Sequence, residues 1–515
     1  MGITVRVVNM IPKSLSGETN QDSEPSLAVN PNNLNQMAAT AFTPNPSGGS
    51  FAPIFVSSDG GNSWALNAIV PGATGVFPTS DITVRFGGTS NVLYGGILRA
   101  DTLAMNILRT SNYTSATPMT VLLSRGSEDQ PWVEATTAAG TDRVYVGNND
   151  FNTSPKTATI DQSVNAATAP PPAGFGPITI ASRTPGGGQN GPSIRPTIHS
   201  SGRIYAAYFN WTAFTGSLIT ADVVVCRDDN WGQGGAPYQA ITDSDGFAGV
   251  RVVTGVTIPW FFVGGSLLGQ ERVGSHLSIA VDPSNSDVVY LAWADGNPYT
   301  IHLRKSADGG KTWSGDLRAI PNGVNPALAV NAKGIVGFLY QQLINGGATW
   351  QTALEVSGNG FATAPTPMVL ASTPANTPAP TFQPYLGDYV YLATGPSSFL
   401  FPWTFWGVFS ANNTPDNSNF PNGVKFQRNA NFTTHQLLNV DNVTPVAVSI
   451  DPFFFAVSDS LSIIKPIVPI LPIQVIKPIA PILPIHPIIP IEPIEPIEPV
   501  EPVKPVQPAP ARKPK

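Results

Sequence analysis

The side chains best placed to do chemistry in this chain share one position in a repeated pattern. Glu24, Asp81, Asp129, Arg195, Arg272, His276, Asp388 and Tyr389 each stand at or close to the start of an apolar, small-residue segment. Carboxylates accept hydrogen bonds and pass protons, and a phenol such as Tyr389 beside Asp388 both donates and accepts. An arginine fork grips a carboxylate through two parallel charged hydrogen bonds, which suits Arg195 and Arg272 to hold an anionic group. Scattered along 515 residues these groups mean little; gathered at one mouth they would form a binding site. The repeat is what could gather them.

Its clearest openings are Pro25-Ser-Leu-Ala-Val-Asn-Pro31, Leu277-Ser-Ile-Ala-Val-Asp-Pro283 and Pro326-Ala-Leu-Ala-Val-Asn331. Weaker copies begin near Ser80, Gln130, Ile194 and Gly387, giving 3 + 4 = 7 units between about residues 24 and 432. Each continues into a second strand rich in Val, Tyr and Ala, such as Val288–Trp293, Ile335–Tyr340 or, in the last unit, Phe399–Phe401. A spacing of roughly 45 to 80 residues fits one four-stranded sheet per unit, arranged as the blades of a propeller. The expected fold is therefore an all-β propeller over residues 1–459, seven-bladed in preference to six. Ile3–Val8 alternates as a strand should and is expected to complete the last blade against Val446–Ile450.

Two units carry one eight-residue pattern. Ser57-Ser-Asp59-Gly-Gly61-Asn-Ser-Trp64 and Ser306-Ala-Asp308-Gly-Gly310-Lys-Thr-Trp313 both read S-x-D-x-G-x-[S/T]-W. Asp accepts bonds from the backbone of its own turn, Gly supplies positive φ and Trp plugs the hairpin against the sheet. Degenerate copies are expected at Ser357–Phe361 and Ser410–Asn413, whereas Asn345–Trp350 falls one strand early and reads as an ordinary hairpin.

This pattern resembles the Asp-box of the sialidase-like (BNR-repeat) β-propellers, and the resemblance spans the repeated units. It implies that Ser57, Asp59, Gly61, Trp64, Ser306, Asp308, Gly310 and Trp313 are scaffold. Catalytic sialidases use an arginine triad on the substrate carboxylate, a Tyr/Glu nucleophile pair and an Asp acid/base. Carried onto this chain, Arg195 in Ile194-Arg195-Pro196 loosely matches the family's F/Y-R-I-P motif. It lacks the aromatic, has Pro directly after Arg, and occurs mid-chain rather than in the first blade. Arg272 would be a second arginine, with His276 and Asp388 also binding substrate. Asp81 or Asp129 would act as acid/base, and Tyr389 or Tyr385, placed by position near Asp388, as nucleophile. No motif for a third arginine or a nucleophile pair is recognisable, so glycan recognition is the leading expectation and a sialidase-like hydrolase the alternative. Trp132, Trp403 and Trp406 either pack between blades or stack on sugar rings.

Composition narrows the class. A net charge of −6 argues against nucleic acid, since nothing could neutralise a run of phosphates. The single Cys226 excludes a disulfide framework and a Cys-based zinc site, and the five histidines (199, 276, 302, 435 and 486) show no metal-ligand spacing. No cofactor is expected, with a structural calcium ion left open. Only 12% of residues are charged, beside 48 Gly and 52 Pro, as in a β-rich protein working outside the cytoplasm or at the cell surface. No apolar run is long enough for a membrane span, and the opening residues read as a strand rather than a secretory leader.

From residue 460 onward a second region follows. Between Pro466 and Pro508 proline recurs every third residue, with Val475 replacing one. In a polyproline II helix that period aligns one Pro stripe beside an Ile/Val stripe. The third stripe turns acidic at Glu492, Glu495, Glu498 and Glu501. Such a tail is a semi-rigid spacer, or its apolar ridge docks on the propeller, on a protein partner or on another tail; bundled tails would make the protein a subunit of a filament or appendage.

Overall fold

The computed structural model describes residues 2–43, 53–71, 80–99, 102, 104–152, 157–168, 174–180, 183, 194–216, 218–259, 276–379, 385–397 and 402–460. The chain divides between Ser462 and Ile463 into two units; the second, with the proline-rich segment, lies outside the described residues, as does Arg272.

The first unit is a β-propeller. Among the described residues there are seven four-stranded antiparallel sheets. Their first strands are Ser23–Val29, Ile82–Phe86, Glu128–Ala138, Arg195–Ile198, Leu277–Asp282, Gly323–Val330 and Tyr391–Thr394. Each first strand packs beside that of the next sheet, and the seventh packs beside the first, so the ring closes around an axis.

Period-two alternation explains the stacking. In the first sheet Leu27, Ala39 and Phe55 face Val408 and Phe454 of the seventh. Ala28, Ala38 and Ile54 point the other way, onto Ile82, Val84 and Leu93 of the second. Both faces of each blade are buried, which is why these strands read as nearly unbroken apolar runs.

The seventh sheet is completed by the N-terminal strand Gly2–Asn9, as expected, but on a different partner. Gly2–Asn9 pairs with Ile450–Ser460, in register from Gly2 opposite Ser460 to Asn9 opposite Phe453. Val446 instead joins a small three-stranded sheet with Leu437. The longer segment wins because Phe453, Phe455 and Val457 bury against the sixth sheet while Phe454 fills the seam with the first. The second strand of this sheet is Thr404–Asn412; Phe399–Phe401 lies outside the described residues. Ser410–Asn413 therefore ends a second strand and is no turn of the repeated kind.

The two eight-residue turns occupy matching corners, between the third and fourth strands of the first and fifth sheets. In both, the first Ser Oγ accepts from the second Gly amide at 2.9 Å, and the Asp Oδ1 accepts from the Ser63 or Thr312 amide at 2.9 Å. Trp64 is buried against Phe454, and Trp313 is half-buried. Ser357–Phe361 copies the first bond, with the Phe361 amide 2.7 Å from Ser357 Oγ. Three further turns at this corner lack the closing Trp of the eight-residue pattern and were not legible in the sequence: Thr110-x-Asn112, Ser163-x-Asn165 and Asp228-x-Asn230. Their signal is a Ser, Thr or Asp two residues before Asn. Asn345–Gly347 does join a second strand to a third.

Candidate functional site

Three first strands begin in the same unusual way. Glu24, Gln130 and Asn325 have φ of 52°, 51° and 55°, each directly before a proline (Pro25, Pro131, Pro326). At each point the ladder to the second strand slips, between Ser23 and Ser26, Asp129 and Trp132, and Val324 and Ala327. Such a bulge re-aims a side chain, and a non-glycine residue in the left-handed region costs about 1–3 kcal/mol.

All three side chains are aimed at one place. Glu24 Oε1 accepts the Asp388 amide (3.2 Å), Gln130 Nε2 donates to Asp388 Oδ2 (3.1 Å) and Asn325 Nδ2 donates to the Gly387 carbonyl (3.0 Å). Blades one, three and six thus clamp the corner that leads into the seventh. Gly387, at φ +92°, is required there, because a Cβ would lie 2.6 Å from the Glu24 amide nitrogen. The residue preceding each opening proline is the available sequence signal for this clamp, and of the three only Glu24 is among the candidates that residue type and register point to.

The clamped corner presents Asp388 and Tyr389 to Arg195, which begins the fourth sheet. All three are buried. The Arg195 guanidinium lies 3.7 Å from the Trp132 ring centroid and 5.6 Å from that of Tyr389, and its Nε donates to the Leu277 carbonyl at 3.2 Å. Burial lowers its pKa to about 9, against the pull of Tyr389, Asp81 and Asp388. Burial also raises the Tyr389 phenol far above its usual range, helped by Glu24, Asp81 and Asp388 and opposed by Arg195. Five groups from four sheets therefore act on one another here.

A second arginine on the axis was missed. Arg85 interrupts the apolar run Ile82–Phe86, stands 3.6 Å from the Tyr391 ring centroid and pairs with Glu134 at 3.1 Å. Guanidiniums and aromatic rings thus alternate along the channel wall, an arrangement favoured where water is excluded. The axis encloses a cavity of about 300 Å³ faced by Trp132, Glu134, Arg195, Thr197, Tyr389 and Tyr391.

The remaining expected residues fall differently. Asp81 is buried and belongs to the group. Asp129 is half-buried and caps the Gln130 amide at 3.0 Å. His276 is buried edge-on to Tyr299, 5.5 Å away. Trp132 and Trp406 are buried in packing, and Trp403 lies 5.8 Å from Phe405. Beside the mouth, Arg125 holds Glu128, Asp150 and Asp161 at 2.8, 2.7 and 2.6 Å. Burial outweighs that guanidinium at Glu128, whose carboxyl is pushed up to about 9, and at Asp161, whereas, against burial, bonds from Arg125 and Asn152 hold Asp150 below the usual carboxylate range.

No family model matches the sequence, and no curated protein matches it. Solved structures of similar chain path include a Dyadobacter fermentans protein of unknown function, 11% identical, covering 89% of this chain and 99% of its own, with a TM-score of 0.41. A Penicillium chrysogenum α-L-arabinanase complexed with arabinobiose is 12% identical over 68% of this chain and 97% of its own (TM-score 0.40). The phage phi92 endosialidase is 9% identical over 90% of this chain and 70% of its own (TM-score 0.39). Likeness at this level transfers no substrate. No helix among the described residues is long and apolar enough to cross a membrane.

Proposed function

We propose that this protein is an extracellular or surface-associated propeller of the sialidase-like, Asp-box kind that recognises a glycan at the mouth of its central channel. The observation that carries this reading is the convergence of Glu24, Asp81, Arg195, Asp388 and Tyr389 beside a cavity faced by Trp132 and Tyr391. Carboxylates accept bonds from sugar hydroxyls, a guanidinium donates to oxygens or to an acidic substituent, and aromatic edges exclude water around them. The strained clamp behind Asp388 supports the same reading, since strain concentrates where a side chain must be held for a ligand.

A glycan array read with the wild type and with Arg195→Lys tests it. Saturable binding that falls at least tenfold in a variant of unchanged melting temperature is the expected result. Equal binding by both proteins, or none to any glycan by the wild type, rejects it.

One observation favours a second reading, a sialidase-like hydrolase: Glu24 accepts the amide of Asp388, the residue before Tyr389, and with Asp81 it acts on the Tyr389 phenol. Turnover of chromogenic sialosides that disappears in Tyr389→Phe would support it. In this reading, as in the first, the proline-rich tail is a spacer or an assembly element.

A further inference from the structure

Away from the channel mouth, three carboxylates meet where the ring is sealed. Glu18 and Asp22 lie in the segment leading to the first blade, and Asp451 is in the strand that pairs with the N terminus. One oxygen from each lies within 4.8 Å of the others; Asp22 and Asp451 are fully buried, and Glu18 is half-buried with its Oε2 shielded from solvent. Two oxygens that share a calcium ion at about 2.4 Å can be at most about 4.8 Å apart, so this spacing admits one ion.

Asp451 is well supported, accepting from Asn9 (2.7 Å), Asn413 (2.6 Å) and Arg428 (3.1 Å). Asp22 is not. It is fully buried and neither carboxylate oxygen meets a hydrogen-bond partner, with only the Thr43 hydroxyl and the Arg428 charge near enough to favour its ionised form. Glu18 Oε2 is likewise buried without a partner. A fully buried carboxylate so poorly supplied with donors carries a desolvation cost that Thr43 and Arg428 offset only in part.

Charge identifies the missing partner. Three carboxylates less the one Arg428 guanidinium leave a charge of −2 in a buried pocket. All the ligand atoms are carboxylate oxygens, the donors preferred by hard cations. We propose that Glu18, Asp22 and Asp451 hold one hard divalent cation, calcium in the first instance, which clips the N-terminal segment to the closing strand of the ring. The competing occupant is a proton shared between Glu18 and Asp22, because burial and the neighbouring Asp451 carboxylate raise both carboxyls.

Calcium titration of the chelator-stripped full-length protein at pH 8 decides between them. Calorimetry should find one ion per chain, and the melting temperature should rise by several degrees with calcium and fall again with EDTA. Asp22→Asn and Glu18→Gln should each weaken calcium binding at least tenfold. Asp59→Asn, in a surface turn elsewhere, should leave it unchanged. Both seam variants replace a carboxylate by its neutral isostere and relieve repulsion, so they should fold. A melting temperature indifferent to calcium and EDTA, or calcium binding that survives in both seam variants, overturns the proposal in favour of the shared proton.

Discussion

At the scale of single residues, the informative positions are those that break a local rule. A non-glycine residue in the left-handed region before proline is unfavourable, yet Glu24, Gln130 and Asn325 all adopt it, and all three bond the Gly387–Asp388 corner. The corner depends on a glycine because Glu24 occupies the space a Cβ would need. Gly387→Ala should therefore cost about 2–4 kcal/mol, from the positive φ and the collision together. Urea denaturation measures it; a loss below about 0.5 kcal/mol, as at an ordinary surface site, would show that the corner is not held in place. The chemically suggestive residues divide on the same ground. Asp81, Arg195, Asp388 and Tyr389 share one electrostatic environment, whereas Asp129 caps its own turn and His276 packs against Tyr299. Residue type and register placed them all near strand starts, but direction was set by bulges and clamps that pattern alone does not specify.

At the scale of elements, the blades are built from short-range information. Alternating apolar residues make each strand bury two faces, and a Ser, Thr or Asp two residues before Asp or Asn closes the outer turn in six sheets: Ser57, Thr110, Ser163, Asp228, Ser306 and Ser357. In the fullest version, Asp308 accepts from the Lys311 and Thr312 amides and the Thr312 hydroxyl, which depresses its pKa to about 2. Asp308→Ala should destabilise the protein by about 1–2 kcal/mol through loss of these turn bonds. Asn359→Ala should cost less, since that side chain makes fewer bonds within its turn. Melting temperatures of the two variants give the comparison; equal shifts would mean that the Asp carboxylate adds nothing to the turn. Two full copies of this turn, with Trp, were readable as sequence. The Asn versions were not, because Ser-x-Asn is too common without the Trp to stand out.

At the scale of the whole molecule, the ring is sealed by a pairing some 450 residues apart in sequence, Gly2–Asn9 on Phe453–Ser460. Asn9, Arg428 and the Glu18–Asp22 segment converge on Asp451 at that seam, so closure and the proposed cation site are one piece of architecture. The proline-rich region obeys separate physics, a three-residue period with an Ile/Val stripe. If those stripes assemble chains, removing residues 463–515 should lower the mass measured by light scattering to that of a single chain. A mass per particle that stays at the same number of chains assigns the tail to spacing alone.

By itself the sequence determined the strand-rich repeat, the position and chemistry of the sharpest turns, the N-terminal strand's role in the last blade and the period of the tail. Each rests on contacts between near neighbours or on a periodicity visible in a short window. Only the tertiary structure decided which segment partners the N-terminal strand, which candidate side chains share a site, and that Arg85 and the pre-proline clamp belong to it. Those outcomes depend on competition among distant segments for the same buried surface. The eleven-residue, Phe-rich Ile450–Ser460 fills both neighbouring seams, which the shorter Val446–Ile450 could not.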